Sequence, residues 1–150
     1  MNEKKISFSE KIFVAGATGM VGSAIKRKLN QYGYGLSENC GKIFTPTRQE
    51  LDLLDFQAVN NWIRKNKPTI IILAAAKVGG IYANSSYPAD FILENLKIQT
   101  NIIEVAWRHG VKKLLFLGSS CIYPRNASQP IVEEELLNGF LEETNESYAI

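Results

Sequence analysis

An α/β fold built on a doubly wound parallel sheet is what this sequence predicts, and three observations carry the expectation. Short apolar runs alternate with longer stretches of helical period, the runs are β-branched and apolar on both faces, and a glycine-rich turn joins the first run to the first helix. Such alternation places parallel strands in the middle and helices on both faces. With 150 residues, 45% of them hydrophobic, the chain is long enough for one domain with a full core and too short for two.

Lys11 to Ala15 (KIFVA) reads as the first strand. From Met20, the apolar positions Val21, Ile25 and Leu29 recur every fourth residue, so a helix runs from there and fades around Gly33 and Gly35. Leu36 to Gly41 is a polar loop before a second strand near Lys42 to Thr45. Asp55 can cap a second helix, with Val59, Trp62 and Ile63 on its inner face and Pro68 ending it. Thr69 to Leu73 (TIIIL) has the composition of a central strand covered on both faces. Pro88 suits the first turn of a long helix reaching about His109, with Ile92, Leu96, Ile103 and Ala106 facing inward and Gly110 closing it. Lys113 to Gly118 (KLLFLG) reads as a further buried strand.

Composition narrows the function. Seventeen Lys and Arg against 15 Asp and Glu leave a formal charge of +2, with no basic stripe interleaved with aromatic residues. Nucleic acid and anionic membrane are therefore excluded as partners, and a small molecule is expected. Two cysteines, Cys40 and Cys121, and the single His109 make neither a disulfide framework nor a metal site. Lys4 and Lys5 precede an apolar stretch from Ile12, but Gly16 and Gly19 break it, so it is not read as a leader. No run approaches the roughly 20 apolar residues of a membrane span. A cytoplasmic enzyme fits best, and Asn-x-Ser matches at Asn84, Asn126 and Asn145 then carry no weight.

The sharpest local signal is Gly16-Ala17-Thr18-Gly19-Met20-Val21-Gly22, directly after the first strand and opening the first helix. Gly16 allows the tight turn, Gly19 lets backbone approach a pyrophosphate, and Gly22 lets helix pack on sheet, while free amides at the helix start receive phosphate charge. The spacing is GxxGxxG rather than GxGxxG. In its strand–helix context it makes the sheet Rossmann-like and predicts dinucleotide binding. The second strand ends Phe44-Thr45-Pro46-Thr47-Arg48, without the acid that holds a ribose 2′-hydroxyl. Arg48 is either the partner of a 2′-phosphate, which selects NADP(H), or a solvated surface charge. Asp52 or Asp55 can reach the adenine amino group, although Asp55 is equally explained as a helix cap.

Leu117-Gly118-Ser119-Ser120-Cys121-Ile122-Tyr123-Pro124 lies at the C-terminal end of a strand, the edge where open α/β sheets bind ligands. On residue type alone, Ser119 and Ser120 could serve a turn and Cys121 the core. Asn145 could cap a last helix, and Tyr148 on its own would mean packing.

Together these segments resemble the extended short-chain dehydrogenase/reductase family of the NAD-dependent epimerase/dehydratase type. The likeness runs from about Lys11 to Ile150. It is greatest to the branch of GDP-4-keto-6-deoxymannose 3,5-epimerase–4-reductases, whose product is GDP-L-fucose. Leu73-Ala74-Ala75-Ala76-Lys77-Val78-Gly79-Gly80-Ile81, Tyr87-Pro88-Ala89-Asp90-Phe91 and the stretch Leu114 to Pro124 carry it. The resemblance implies NADP(H) as cofactor and a GDP-sugar substrate. It implies Ser119 as catalytic serine, Tyr148 as the tyrosine of a Tyr-x-x-x-Lys pair, and Cys121 as a proton carrier in epimerisation. It also implies Ala74, Ala75 and Ala76 beside the cofactor, and Leu117, Gly118, Ser119 and Ser120 along its nicotinamide half. The helix 88–109 would offer a homodimer surface.

On this reading residues 1–10 are an extension, and residues 11–150 an NADP-binding domain cut before the last strands and the substrate domain. Thr18 stands where some relatives carry an arginine, which places more of the 2′-phosphate role on Arg48. The lysine of the pair would fall two residues past Ile150, so the 150-residue polypeptide is expected not to turn over alone, and an incomplete sheet is expected to expose apolar surface. The alternatives are an NAD-dependent nucleotide-sugar 4-epimerase or 4,6-dehydratase of the same fold, and a non-catalytic dinucleotide-binding module.

Overall fold

A computed structural model of the chain describes residues 6–36, 38 and 40–150. Lys4 and Lys5, weighed above as a leader, lie outside the described residues, as do Ser37 and Asn39 of the expected loop. The chain forms two compact units, Met1–Ala75 with Ile98–Leu117, and Ala76–Lys97 with Gly118–Ile150.

The first unit holds the sheet. β1 (Lys11–Ala15), β2 (Lys42–Phe44), β3 (Ile70–Leu73) and β4 (Lys113–Phe116) are all parallel, in the order β2-β1-β3-β4. The chain leaves β1 for β2 on one side and returns to β3 on the other, so the C-terminal ends of β1 and β3 form the crevice where strand order reverses. α1 (Met20–Gln31) and α2 (Phe56–Asn66) connect these strands, and α4 (Pro88–Arg108) gives residues 98–108 to this unit.

Alternation along β1 and β3 sorts the core into two layers. Ile12, Val14, Ile70 and Ile72 are buried on one face with Ile25 and Leu29 of α1. Phe13, Ala15, Ile71 and Leu73 point the other way, against Val59 and Ile63 of α2 and Ile102, Val105 and Ala106 of α4. Burial of one large side chain in either layer contributes about 1.5–3 kcal/mol. Helices on both faces of a parallel sheet make the doubly wound arrangement the sequence predicts.

The element boundaries agree with the sequence reading to within a residue or two. Asp55 is the N-cap of α2, its Oδ1 accepting from the Ala58 amide at 3.0 Å. Three expectations are corrected. β4 is not a buried strand: Leu114, Leu115 and Phe116 are exposed, Leu115 by 52%, because β4 ends the sheet and pairs only with β3. Ile103 is 44% exposed while its neighbour Ile102 is fully buried, so Ile103 leaves the expected inward face of α4, whereas Ala106 is buried as expected. Val21 is also exposed, so the apolar spacing of α1 turns inward only from Ile25.

The second unit contains α3 (Ile81–Ser86), which the sequence reading missed, residues 88–97 of α4, three 3-10 turns and α5 (Glu146–Ala149). The Lys77 amide donates to Asn95 Oδ1 at 2.7 Å, and Asn95 Nδ2 donates back to the Lys77 carbonyl at 3.0 Å. This reciprocal pair fastens the segment after Ala76 to α4. Lys77 Nζ then reaches Glu94 at 2.6 Å.

Candidate functional site

The glycine turn lies at the crevice of the first unit. Gly16 has φ +80°, and a Cβ there would stand 2.6 Å from the Ala74 carbonyl oxygen. A Cβ on Gly22 would meet the Gly16 carbonyl oxygen at 2.2 Å. Only glycine therefore fits at either place, and Ala74 and Ala75, just past β3, form the wall behind Gly16. The Gly19 amide closes the turn onto the Gly16 carbonyl at 3.0 Å. Ala17 and Gly22 are buried, whereas Thr18, Gly19, Met20 and Val21 are exposed.

Gly19 is the N-cap of α1 and offers no side chain to the helix start. The amides of Met20, Val21 and Gly22 have no carbonyl one turn back, so they are free to receive an anion. A diphosphate suits this arrangement in charge, in donor count and in the closeness of approach that an exposed glycine permits.

Past β2, Thr47 and Glu50 lock a tight turn. Glu50 Oε2 accepts from the Thr47 amide at 2.7 Å and from Thr47 Oγ1 at 2.9 Å. The backbone bond from Thr47, then its hydroxyl, holds the Glu50 carboxyl below the usual carboxylate range. Arg48 stands in this turn, exposed, and among the described residues it makes no ion pair. Asp52 is exposed and uses one carboxylate oxygen to accept from the Leu54 amide at 3.1 Å. Asp55 is committed to its helix cap.

In the second unit, Ser119 is the N-cap of the 3-10 turn Ser120–Ile122, its Oγ accepting from the Cys121 amide at 3.2 Å. That bond occupies a lone pair and leaves the hydroxyl proton free to donate. Cys121 is a half-buried free thiol. α5, which carries Tyr148, packs against this turn, and the Tyr148 ring meets Phe91 edge-on with centroids 6.5 Å apart. Ser119, Cys121 and Tyr148 thus belong to neighbouring elements of one unit.

Ala76, Gly118 and Ser120 are exposed in the second unit, and Leu117 is half-buried at the end of the first. Asn145 corrects a further expectation. It stands at the N-cap of α5 but makes no cap bond; its Nδ2 instead donates to Cys121 Sγ at 3.4 Å. Nothing in the sequence pattern signals a contact between residues so far apart in the chain. Among the described residues no cluster could hold a metal ion, and no helix is long and apolar enough to cross a membrane.

A crevice at a strand-order reversal, edged by a glycine turn with free amides, defines a dinucleotide-binding α/β protein. The chain belongs to the NAD dependent epimerase/dehydratase family, whose model matches residues 12–150. It is 58% identical to GDP-L-fucose synthase 1 of Arabidopsis thaliana over 95% of this chain and 42% of that protein. It is 53% identical to GDP-L-fucose synthase of Escherichia coli strain K12 over 94% of this chain and 42% of that protein. Among solved structures, a GDP-mannoheptose C4 reductase from Campylobacter jejuni with NADP bound superposes with a TM-score of 0.88 at 39% identity, covering 97% of this chain and 44% of that one. The chain spans about two fifths of the length of the relatives it matches.

Proposed function

We propose that this chain is the NADP(H)-binding front part of a cytoplasmic GDP-sugar epimerase–reductase. Its reaction is the 3,5-epimerisation of GDP-4-keto-6-deoxymannose followed by 4-keto reduction to GDP-L-fucose. The observation that carries the reading is the glycine turn with its uncapped amides, found in a chain 58% identical to a GDP-L-fucose synthase. The NADP bound to the Campylobacter jejuni relative and the exposed Arg48 support NADP(H) over NAD(H).

In this reading residues 11–150 form the cofactor domain, and substrate binding belongs to the remaining length of the relatives. The amides of Met20, Val21 and Gly22 hold the diphosphate, Arg48 the 2′-phosphate, and Asp52 the adenine amino group. Ala74, Ala75, Ala76 and Leu117 to Ser120 line the cofactor. NADPH supplies the hydride for the 4-keto group. Ser119 donates a hydrogen bond to the substrate carbonyl oxygen and keeps its proton, and Tyr148 transfers the one proton that the developing alkoxide takes up. The ketone acidifies the hydrogens at C3 and C5, and Cys121 removes or returns protons at those carbons. The outer face of α4 offers a homodimer surface.

The full-length protein is expected to consume NADPH with GDP-4-keto-6-deoxymannose and to incorporate solvent deuterium at C3 and C5 of the product. A tightly held NAD regenerated within each turnover, with no net consumption of NADPH, would identify a 4-epimerase or dehydratase instead. Binding of NADPH without any turnover would leave only a dinucleotide-binding module.

A further inference from the structure

We infer that Asn145 is a positioning residue for the Cys121 thiol, holding the sulfur in place and favouring its proton-accepting form. The inference rests on the reading of Cys121 as a proton carrier. Asparagine at a helix N-cap ordinarily accepts a hydrogen bond from the free amides of the first turn. Asn145 occupies that place in front of α5 and makes no such bond. Its amide is diverted to Cys121 Sγ, with Nδ2 donating at 3.4 Å across 24 residues of chain. Its Oδ1 is left buried without a partner. The side chain forgoes its local bond and strands a polar atom, and it does so in the orientation that presents an N–H to the sulfur.

The polarity of that hydrogen bond matters. A sulfur facing an N–H donor is better satisfied as thiolate, which accepts, than as thiol, whose own proton must then point elsewhere. The opposite amide orientation would present Oδ1 and favour the thiol; the orientation in this structure, with Nδ2 toward the sulfur, favours the base. From the other side, the Cys121 amide is tied to Ser119 Oγ at 3.2 Å, which fixes the backbone that carries the thiol. The titratable groups carried by this turn and the elements beside it are Tyr123, Glu143, Glu146 and Tyr148. When the thiolate takes a proton beside the ketone, the C–H bond breaks and the S–H bond forms. The C–H electron pair passes into the enolate, whose negative charge rests on oxygen. Asn145 touches none of these atoms and acts through the sulfur alone.

The test is alkylation of the full-length protein by iodoacetamide across pH, read peptide by peptide by mass spectrometry, with the exposed free Cys40 as internal reference. Asn145→Asp keeps the shape, removes the donor and adds repulsion; Asn145→Ala removes the donor alone. In both variants the pH of half-maximal Cys121 alkylation is expected to rise, further for Asp. The rate at neutral pH should fall roughly tenfold, the scale of one hydrogen bond to a charged group, with Cys40 and NADPH binding unchanged. An unmoved midpoint in both variants overturns the inference, as does a change confined to the plateau rate, which would report accessibility only. Deuterium exchange at C3 and C5 in Cys121→Ser is read separately. Exchange retained there refutes the role of Cys121 while leaving the Asn145 result standing, and exchange lost with an unmoved midpoint does the reverse.

Discussion

On the proposed reading, cofactor choice turns on Arg48. Its side chain is exposed in a turn that Thr47 and Glu50 hold rigid, so a guanidinium is displayed past the end of β2 at little cost in backbone order. Replacing Arg48 by alanine should weaken NADPH binding roughly tenfold or more, the scale of a charge-assisted hydrogen bond, and leave NADH binding unchanged. Titration of both nucleotides against the variant checks it; equal loss for both would assign Arg48 to general attraction rather than to the 2′-phosphate. Gly22→Ala should abolish binding of either nucleotide, because its methyl would lie 2.2 Å from the Gly16 carbonyl oxygen. The glycine turn was legible in the sequence because its signal is local, a glycine spacing directly after a strand. Asp55 was legible as a cap for the same reason. Asn145 was not, although it carries the same local signal, because its side chain turns so that Nδ2 donates to a sulfur 24 residues away and Oδ1 does not cap the helix, and no short window of sequence contains both.

At the scale of elements, the two-layer core makes unequal demands on its members. Phe13 is fully buried on the face shared by α2 and α4, and its ring lies 4.6 Å from that of Trp62. Phe13→Ala should destabilise the first unit by about 3–5 kcal/mol, since the packed sheet can close only part of the cavity; urea unfolding followed by tryptophan fluorescence measures it. The starts and stops of α1, α2 and α4 could be read from Gly, Asp and Pro, which act on the backbone where they stand. The inward face of α4 could not, because Ile102 and Ile103 are equally apolar and only the packed sheet decides which turns in. α3 escaped notice since Ile81–Ser86 is rich in Asn and Ser, residues whose side chains compete with helix bonds. The exposure of β4 was anticipated only by the expectation of an incomplete sheet, not by the strand's own residues. A strand's place in sheet order is a property of the assembled fold, and KLLF reads alike at the centre and at the edge.

At the scale of the whole molecule, two carboxyls give the first unit a response to acid. Glu10 and Glu50 both belong to the first, and both carboxyls titrate below their ordinary value. For Glu10 the causes are a hydrogen bond from Thr69, then one from Lys112, whose Nζ lies 3.1 Å away. Thr69 Oγ1 in turn accepts from the Lys11 amide at 3.0 Å, so this carboxylate ties together the starts of β1, β3 and β4. A carboxyl whose folded-state value is depressed binds its proton more readily when unfolded. Its contribution to stability is therefore complete above the unfolded value of about 4.3 and lost as pH falls through the folded value. Both tryptophans, Trp62 and Trp107, lie in the first unit, so their fluorescence reports its melting without interference from the second. The melting temperature read this way should be flat from neutral pH down to about 4.3 as far as these two groups are concerned, and should drop below it. Glu10→Gln and Glu50→Gln should each lower it at neutral pH and flatten the acid limb, so that wild type and variants converge at the acid end. Parallel curves that keep their separation into strong acid would mean that these contacts act by shape rather than by charge.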